Sequence, residues 1–525
     1  MKIVQTFWSG NKKHLLQDSF GWHNSTYHVQ SWALSCQLLR RLYSNVELYT
    51  DRAGHDLLIK KLKLPYTRVH IVLDELNHYP SSVWALSKIR TYSLQESPFI
   101  HIDGDVFLWK KFDERLSTSK LLVQNREIGN KYINSSWNAI ENNLKFIPND
   151  ILRHRQKKHS VNVYNFGIFG GQDLGFIKEY SKKAFEFVDK NLERLKSING
   201  FNFNIYFEQY LFYCMAQQQS ITTYFEEDFI ADQYKGFANF EEVTLSKNYL
   251  HLLGDFKKKE EVCKKMSRQL SVEFPEQYLK ILEIYHPNDY LVFKNQLNTN
   301  LELNNVEIKK SFSTYYKAIP ETSKFHRTHR LLLRHFSSLD KNIKNVLITE
   351  NHIKEKVLYS KRPNLKSVFE YEQKIKDYLS NIHTLNFHEF SKEEYIQSKK
   401  YIAFSMDINS YFIRTNSIKR IFKWGHLIGD VSSDFNGENL HQEFSRLIIP
   451  SAQAPYYNEI ILSELDKIIL EKSGSHQVTF QKLLLKIENY FDKVEIKNNY
   501  EDYKNLILKT IKRLVYRKAL VVEHI

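Results

Sequence analysis

The first hundred residues alternate short apolar runs with amphipathic stretches, and this rhythm constrains the fold more than any other feature. Four apolar runs predict strands at residues 2–7, 46–49, 69–73 and 99–102. Helices are predicted at residues 27–41, 55–62 and 83–95, the first of them capped by Ser25 or Thr26. Repeated strand–helix units are typical of an α/β domain with a largely parallel sheet, which binds ligands at the carboxyl ends of its strands.

The fourth predicted strand ends in two aspartates separated by a glycine, within the run Phe99-Ile-His-Ile-Asp-Gly-Asp105. Glycine lets the backbone turn and approach a ligand closely, and carboxylate oxygens suit a divalent cation that can in turn hold a diphosphate. An Asp-x-Asp triplet should occur about once by chance in a chain of this length. Its position directly after a strand therefore makes Asp103 and Asp105 candidate metal ligands, with a solvated pair of turn aspartates as the alternative.

The chain has 525 residues, too many for one ordinary hydrophobic core. The strand–helix rhythm ends near residue 290, where a polar, turn-rich stretch follows at 295–305. We therefore expect a first domain at 1–290 and a mainly helical domain of unknown role at 291–525. Helices are predicted at 367–383, 458–471, 479–491 and 500–516, with a strand at 519–522, and this order suggests a winged-helix-like module at the end.

The formal net charge is +15 and the isoelectric point is near 9.2. Such a balance favours an anionic partner, which includes nucleic acid, anionic lipid or a small anionic substrate, although a solvated lysine-rich surface is an equal alternative. The basic stretch at 324–335 could meet anionic lipid or polymer as an amphipathic segment, or lie as a solvated helix between domains.

Three cysteines, Cys36, Cys214 and Cys263, lie far apart and form no metal-ligand spacing, so a reducing compartment is expected. The chain has no signal-peptide pattern and no apolar run long enough to cross a bilayer. These features predict a cytoplasmic protein, with peripheral contact to the inner face of the membrane left open.

Several separated motifs within residues 1–260 together resemble the GT-A glycosyltransferases. The likeness is to the retaining group that includes glycogenin and bacterial galactosyltransferases, and to an uncharacterised bacterial GT-A-like family. The motifs are, in chain order, Leu48-Tyr-Thr-Asp51, Trp84-Ala-Leu-Ser-Lys-Ile-Arg90, Asp103-Gly-Asp105, Tyr164-Asn-Phe-Gly-Ile-Phe-Gly170, Glu208-Gln209 and Tyr249-Leu-His-Leu-Leu-Gly-Asp-Phe-Lys257. The resemblance implies a GT-A (Rossmann-like) sheet and a metal-dependent transfer of sugar from a nucleotide sugar, with a UDP-sugar as the expected donor.

The same resemblance implies a metal set. Asp105 should bind the metal ion, Asp103 should share it and contact the ribose, and His251 should complete the site. Lys257 should reach the leaving diphosphate. A neutral imidazole beside two carboxylates suits manganese, with magnesium as the other expected ion.

Other matched positions imply contacts to the donor. Lys88 and Arg90 are candidates for the diphosphate, with a solvated basic helix face as the alternative. Asn165 is expected to bond sugar hydroxyls and Gly167 to leave room for the sugar ring, unless the two residues simply build a turn.

Glu208 or Gln209 is expected beneath the anomeric carbon, although Glu208 replaces the more usual Asp of the family. Retention of anomeric configuration is slightly favoured. Inversion would need a carboxylate base, for which Glu208 and Asp173 are the candidates.

The end of the first strand is expected to hold the nucleotide base. Thr6 and Trp8 lie there, and Trp8 or Phe7 is a candidate to stack on uracil, although aromatic residues at strand ends are commonly core. Asp51 is expected to contact the base or ribose, with a helix cap as the alternative.

The acceptor is expected to be a saccharide, a lipid-linked sugar or a peptide. Two rival functions are a non-catalytic GT-A-like scaffold and a peptide- or nucleic-acid-binding protein that acts through the C-terminal module. Nucleic acid is disfavoured because the last predicted helix is not distinctly basic.

Overall fold

The computed structural model describes residues 1–12, 14–157, 160–198, 200–226, 229–230, 234, 236–243, 247–287, 290, 294, 311–336, 349–360, 363–424, 444–452 and 456–525. The chain divides into two compact units, Met1–Tyr290 and Leu291–Ile525. The predicted polar stretch at 295–305 lies outside the described residues. Among those described, no helix combines the length and apolarity needed to cross a bilayer.

A mostly parallel sheet organises the first unit, with strand order β3-β2-β1-β4-β7-β6-β8 and β9 also pairing with β6. Its strands are β1 (Lys2–Phe7), β2 (Val46–Thr50), β3 (Arg68–Ile71), β4 (Phe99–Ile102), β6 (Leu121–Ile128), β7 (Val163–Gly171), β8 (Ile221–Thr223) and β9 (Phe229–Ile230). A separate antiparallel pair joins β5 (Val106–Leu108) to β10 (Tyr249–His251). The predicted α/β architecture is confirmed at this level.

Strand direction decides which residues meet. In the main sheet β7 runs antiparallel to both of its neighbours, β4 and β6, whereas the other pairs are parallel. The carboxyl ends of β1, β2 and β4 therefore lie at one edge, and the start of β7 joins them there. Asp51 and Asp103 follow β2 and β4 at that edge.

Helices cover both faces of this sheet. They are α1 (Ser25–Leu42), α2 (Arg52–His55), α3 (Leu86–Ser93), α4 (Glu114–Ser117), α5 (Lys131–Ile140), α6 (Asn149–Lys157), α7 (Leu174–Asp189), α8 (Gly200–Asn204), α9 (Leu211–Met215), α10 (Glu260–Glu273) and α11 (Pro275–Tyr285). Two π-helical segments, Asp56–Lys61 and Ile205–Tyr210, continue α2 and join α8 to α9. Short 3₁₀ turns occupy Leu73–His78, Ser81–Val83, Glu141–Asn143, Leu192–Lys196, Ala216–Gln218, Phe240–Glu242 and Gly254–Lys258.

Helix caps correct one sequence prediction. The side chain of Asn24, rather than that of Ser25 or Thr26, accepts from the Tyr27 N–H and caps α1. Asn24 has the extended backbone that a cap requires, while Ser25 already belongs to the helix.

The second unit combines helices with two three-stranded sheets. Its strands are β11 (Tyr411–Thr415), β12 (Arg420–Trp424), β13 (Phe444–Pro450), β14 (Tyr457–Ile461), β15 (Val478–Thr479) and β16 (Leu520–His524), in the orders β15-β11-β16 and β12-β13-β14. Its helices are Phe312–Lys317, Glu321–Lys324, His326–Phe336, Glu350–Tyr359, Pro363–Ser380, Phe387–Met406, Glu464–Ser473, Phe480–Glu488, Lys493–Asn498 and Tyr500–Tyr516, with a 3₁₀ turn at Ile408–Ser410.

The mainly helical prediction for this unit missed β11 to β15, and among its described strands only β16 was predicted, at 519–522. Residues 458–461, predicted as the start of a helix, belong to β14, and the helix begins only at Glu464. Apolar runs of five to seven residues do not distinguish a short buried strand from a helix turn, because both periods fit them.

The described side chains of the basic stretch at 324–335 include several that pack inside the second unit. Phe325 and Leu332 are fully buried, Lys324 donates to the Lys317 carbonyl at 3.0 Å, and Arg327 pairs with Glu459. The basic side chains of Lys324 and Arg327 are therefore used inside the unit and are not offered to an anionic surface.

Glu459 is the centre of a buried ion cluster in this unit. Arg327 and Arg446 (2.5 Å) pair with its two oxygens, and the Tyr371 hydroxyl donates to it at 2.7 Å. Burial favours the neutral acid, but the two arginines outweigh that effect and lower the pKa of Glu459 from the usual 4.5 to about 2. A lowered pKa in the folded state means that the ionised group stabilises the fold above its usual pKa and that this stabilisation fades as pH falls toward 2.

Replacing this carboxylate should remove a pH-dependent part of the stability. We expect Glu459→Gln to lower the free energy of unfolding by about 3 kcal/mol at pH 7, and by less than half of that at about pH 3. Urea denaturation at the two pH values measures the difference. The matched control is Glu464→Gln, an exposed glutamate paired with Lys467, which should change stability little. An equal loss from Glu459→Gln at both pH values would contradict the assignment.

Candidate active site

The Asp103-Gly104-Asp105 segment is a tight turn anchored at the edge of the sheet. Asp103 N–H donates to the Gly167 carbonyl at 3.1 Å, and Val106 N–H donates to the Asp103 carbonyl at 3.1 Å. Gly104 lies against α1, where a Cβ would come within 2.6 Å of the Trp32 ring. The turn therefore requires glycine for close packing, and this packing sets where the two carboxylates project.

Buried polar side chains hold the main chain of this turn. Ser31 Oγ donates to the Gly104 carbonyl at 2.7 Å, and Ser35 Oγ donates to the Val106 carbonyl at 2.7 Å. Gln5 of β1, which is fully buried, donates to Ser35 Oγ at 3.0 Å and to the Ile102 carbonyl at 3.3 Å. The turn is thus fixed from β1 and α1 together.

Strand pairing delivers the third metal-ligand candidate. In the β5–β10 pair His251 lies opposite Val106, next to Asp105 in the chain. His251 Nε2 is 3.4 Å from Asp105 Oδ1, and one ligand atom each from Asp103, Asp105 and His251 lies within 4.8 Å of the others. Two carboxylate oxygens and one imidazole nitrogen fit manganese or magnesium by chemistry and spacing.

Lys257 contacts one of these three candidate metal ligands, Asp105. Its Nζ lies 2.8 Å from Asp105 Oδ2, and its side chain is 25% exposed. Its main-chain carbonyl accepts from His23 N–H at 2.8 Å, which holds the segment after β10 in place. Burial favours the protonated acid, but the charge of Lys257, with His251, outweighs burial and lowers the pKa of Asp105. Asp105 is therefore ionised at neutral pH.

Lys88 links Asp103 to a third carboxylate. Its Nζ lies 3.0 Å from Asp103 Oδ1 and 2.7 Å from Glu208 Oε1. Burial favours the neutral amine, but the two carboxylates outweigh it and raise the pKa of Lys88. Burial raises the pKa of Asp103 and that of Glu208 against the lowering effect of Lys88. Lys88 is therefore a fixed internal cation of the site.

Glu208 is positioned by the π-helical segment Ile205–Tyr210 and is fully buried. Such segments are rare and occur frequently at functional sites. The structure joins Glu208 to the site through Lys88, and Gln209 follows it in a partly exposed position. The contact of either residue with the anomeric carbon stays a prediction.

Arg90 does not join this group. Positions two apart on a helix point about 200° away from each other, so Lys88 and Arg90 leave α3 on opposite sides. Arg90 pairs with Glu75 through Nε and, at 3.2 Å, through Nη2. The diphosphate role predicted for Arg90 is therefore not supported by its placement.

Asn165 and Gly167 are occupied by contacts within the protein. Asn165 Nδ2 donates to Glu127 at 3.0 Å, and its Oδ1 accepts from Gly167 N–H at 2.9 Å. A Cβ on Gly167 would lie 2.1 Å from Gln124 Oε1 and 2.5 Å from the His251 ring. The space that this glycine leaves is therefore filled by Gln124 and His251, and not by the sugar ring that the resemblance implied.

The residues predicted around the nucleotide base have structural contacts. Thr6 Oγ1 donates to Thr91 Oγ1 at 2.9 Å, and the mostly buried Trp8 donates to Asn77 at 3.2 Å. Phe7 packs edge-on against Trp32 at 5.3 Å between ring centroids. Their contacts with a nucleotide stay predictions.

Asp51 has the helix-cap role given above as the alternative. Its Oδ1 accepts from Gly54 N–H at 2.8 Å, while Oδ2 accepts from Ser9 N–H at 2.9 Å and from the Ser9 hydroxyl. The carboxylate is almost fully buried, so these contacts account for it without a ligand.

Asp173 lies at the opposite edge of the sheet. It caps α7 by accepting from Phe176 N–H at 3.0 Å. Because β7 runs antiparallel to β4, with Gly171 beside Phe99, the end of β7 is far along the sheet from Asp103. Asp173 is therefore not a base for this site.

The polar residues that support the ligand candidates were not predicted from the sequence. They are Gln5, Ser31, Ser35, Gln124 and Tyr249. The available signal was polarity inside strands that otherwise read as buried, since Gln5 interrupts Lys2–Phe7 and Gln124 interrupts Leu121–Ile128. Buried polar groups are normally hydrogen-bonded, so such positions indicate a local network.

Comparisons with known proteins cover about half of the chain. Residues 1–284 match the model of a family of unknown function (DUF6734). No curated protein matches the chain. Among solved structures, the chain is similar to mouse xyloside xylosyltransferase 1 in its apo form, with 10% sequence identity and a TM-score of 0.26, over 42% of this chain and 84% of that one.

Adding a methyl group at the turn should disturb its packing. We expect Gly104→Ala to lower the free energy of unfolding by about 1–3 kcal/mol, because the Cβ would overlap the Trp32 ring. Chemical denaturation measures this loss. Gly175→Ala is the control, since a Cβ there meets its nearest atom at 3.5 Å and lies in α7, where alanine is favoured. Equal stability of the two variants would refute the packing argument.

Removing the Asp51 carboxylate should affect stability rather than ligand binding alone. We expect Asp51→Ala to lower the free energy of unfolding by about 1–3 kcal/mol, because buried donors of Ser9 and Gly54 lose their acceptor. The control is Asp56→Ala, which removes a half-exposed aspartate directly after α2 and should change stability far less. Unchanged stability of Asp51→Ala would instead favour a contact with ligand.

Proposed function

Because the chain belongs to a family of unknown function, DUF6734, we propose its activity from the site itself. Residues 1–290 act as a GT-A-like domain that transfers a sugar from a UDP-sugar to a hydroxyl acceptor with the help of a divalent metal ion. The observation that carries this proposal is the meeting of Asp103, Asp105 and His251 within 4.8 Å, with Lys257 beside them, at the carboxyl edge of a mostly parallel sheet.

The three ligand residues would hold manganese or magnesium. A bound ion of this kind supplies Lewis-acid stabilisation of a leaving diphosphate. The formal charges of the site support this use. Asp103, Asp105 and Glu208 carry three negative charges and the two lysines carry two positive ones, so a divalent cation would leave the site with a net positive charge for an anionic donor.

Lys257 is the partly exposed cation of the site. It is held 2.8 Å from Asp105 but keeps a quarter of its side chain exposed. Its ammonium group is thus placed to contact oxygen atoms of the diphosphate as negative charge develops on them. Lys88 has no such freedom, because it is buried between two carboxylates, and its role is to hold Asp103 and Glu208 in place.

Retention is the stereochemical outcome that the placement of the carboxylates favours. An inverting reaction needs a base that reaches the acceptor hydroxyl, but Glu208 is buried against Lys88 and Asp173 lies at the other edge. In the retaining reaction the acceptor oxygen bonds to the anomeric carbon on the face that the diphosphate leaves. The hydroxyl proton passes to a departing diphosphate oxygen.

Residues 291–525 serve as an accessory domain in this proposal. The helices Glu464–Ser473, Phe480–Glu488 and Tyr500–Tyr516 accompany the small sheet β15-β11-β16, an arrangement that supports the winged-helix-like description. Holding a saccharide, lipid-linked or peptide acceptor is the role we assign to it.

Ligand-dependent stabilisation tests the donor site. We expect UDP or one UDP-sugar, at 100 times its Kd, to raise the melting temperature by about 5 °C, and only when manganese is present. The reason is that a ligand that binds the native state stabilises it by about 2.7 kcal/mol at that excess. Asp105→Asn should abolish the shift. Asp255→Asn, an exposed aspartate two residues before Lys257, is the matched control and should keep it. A wild-type protein that responds to no nucleotide would overturn the proposal.

A further inference from the structure

Gln124 is the nearest partner of the metal-ligand candidate His251. The Oε1 atom of Gln124 lies 2.7 Å from His251 Nδ1, on the side of the ring away from Asp105. The other ring nitrogen, His251 Nε2, lies 3.4 Å from Asp105 Oδ1. Gln124 is fully buried in β6, at the point where the β6–β7 pairing shifts register between Val123 and Asn125. The two nitrogens of one imidazole thus face a glutamine on one side and the carboxylates on the other.

The direction of each hydrogen bond follows from a main-chain carbonyl, which can only accept. Asn125 Nδ2 donates to the Arg126 carbonyl at 3.3 Å, so Asn125 Oδ1 is left to accept from Gln124 Nε2 at 2.9 Å. Gln124 Oε1 therefore faces β10, where it accepts from the Tyr249 hydroxyl and from His251. An amide oxygen cannot donate, so His251 Nδ1 carries the proton and Nε2 presents a lone pair.

Gly167 makes this contact sterically feasible. A Cβ at that position would lie 2.1 Å from Gln124 Oε1 and 2.6 Å from His251 Nδ1, so the hydrogen bond occupies the space of a missing side chain. Gly167 also accepts from Asp103 N–H through its carbonyl. Gly167 therefore anchors the aspartate turn through its carbonyl and also leaves the space in which the His251–Gln124 hydrogen bond forms.

We propose that Gln124, oriented by Asn125 and the Arg126 carbonyl, is a positioning residue that fixes the His251 tautomer and ring so that Nε2 faces Asp103 and Asp105. The inference rests on the proposed function only in taking a divalent cation as the ion that Nε2 meets. Partners of this kind commonly orient metal-binding histidines, and their removal weakens metal affinity 10- to 100-fold.

The test compares two substitutions of Gln124 by manganese affinity, measured with calorimetry and electron paramagnetic resonance. Gln124→Leu removes the acceptor, and we expect it to weaken binding about 10- to 100-fold. Gln124→Glu keeps an acceptor oxygen, and binding should stay within a few-fold of wild type. The control is Gln277→Leu, which removes a buried glutamine that donates to the Leu62 carbonyl at 2.8 Å and should leave affinity unchanged.

Nitrogen-15 NMR of the His251 ring gives a readout that a structural role alone would not move. Without metal, at a pH about two units above the usual pKa of histidine, the wild type should show the Nδ1–H tautomer. Gln124→Leu should shift it toward Nε2–H, whereas Gln124→Glu should not. An Nε2–H tautomer in the wild type would overturn the inference, even if Gln124→Leu fails to fold.

The outcomes separate this inference from the proposed function. If the wild type binds manganese and Gln124→Leu binds it equally well, the positioning role is wrong and the proposed function stands. If the wild type binds no manganese, the metal-dependent function fails, while the tautomer still decides the role of Gln124.

Discussion

Charge compensation is the constraint on which the first unit depends. Three carboxylates are gathered at one place, with that of Glu208 fully buried and those of Asp103 and Asp105 partly buried. Removing charges from water is unfavourable unless they are paired. Lys88 and Lys257 provide that pairing from α3 and from the segment after β10. Charged side chains from elements far apart in sequence therefore lie together at one edge of the sheet, where their opposite charges neutralise one another.

Close packing fixes the positions of the site's side chains at this edge of the sheet. The aspartate turn lies against α1 because Gly104 leaves room for Trp32, and the His251–Gln124 pair fits because Gly167 leaves room for both. Ser31 and Ser35, one helical turn apart on α1, bond the same stretch of main chain. Protein interiors transmit small displacements, so the helix and the turn behave as one rigid support for the carboxylates.

Local pattern was sufficient for part of this structure. The bounds of β1 and β4, and those of β2 to within one residue, follow from periodicity. The convergence of Asp103, Asp105 and His251 was implied by the resemblance of several motifs, in order, to the GT-A glycosyltransferases. The separation of Arg90 from Lys88 was open to prediction, because two residues that far apart leave a helix on opposite sides. The placement of Asp173 was not predictable, because it depends on the antiparallel direction of β7, which no local pattern encodes. Gln124 was missed for a related reason, since its partner lies 127 residues away.

The buried ammonium of Lys88 has a consequence for how the two sides of the site communicate. Asp103 and Glu208 share this ammonium group. A positive charge that binds at Asp103 therefore weakens the pairing of Lys88 with Asp103 and strengthens its pairing with Glu208. Thermodynamic linkage makes this effect reciprocal, so whatever engages Glu208 also alters how Asp103 receives a cation. The short π-helical segment that carries Glu208 is thus coupled through Lys88 to the proposed metal site, although Glu208 is not one of the proposed ligands.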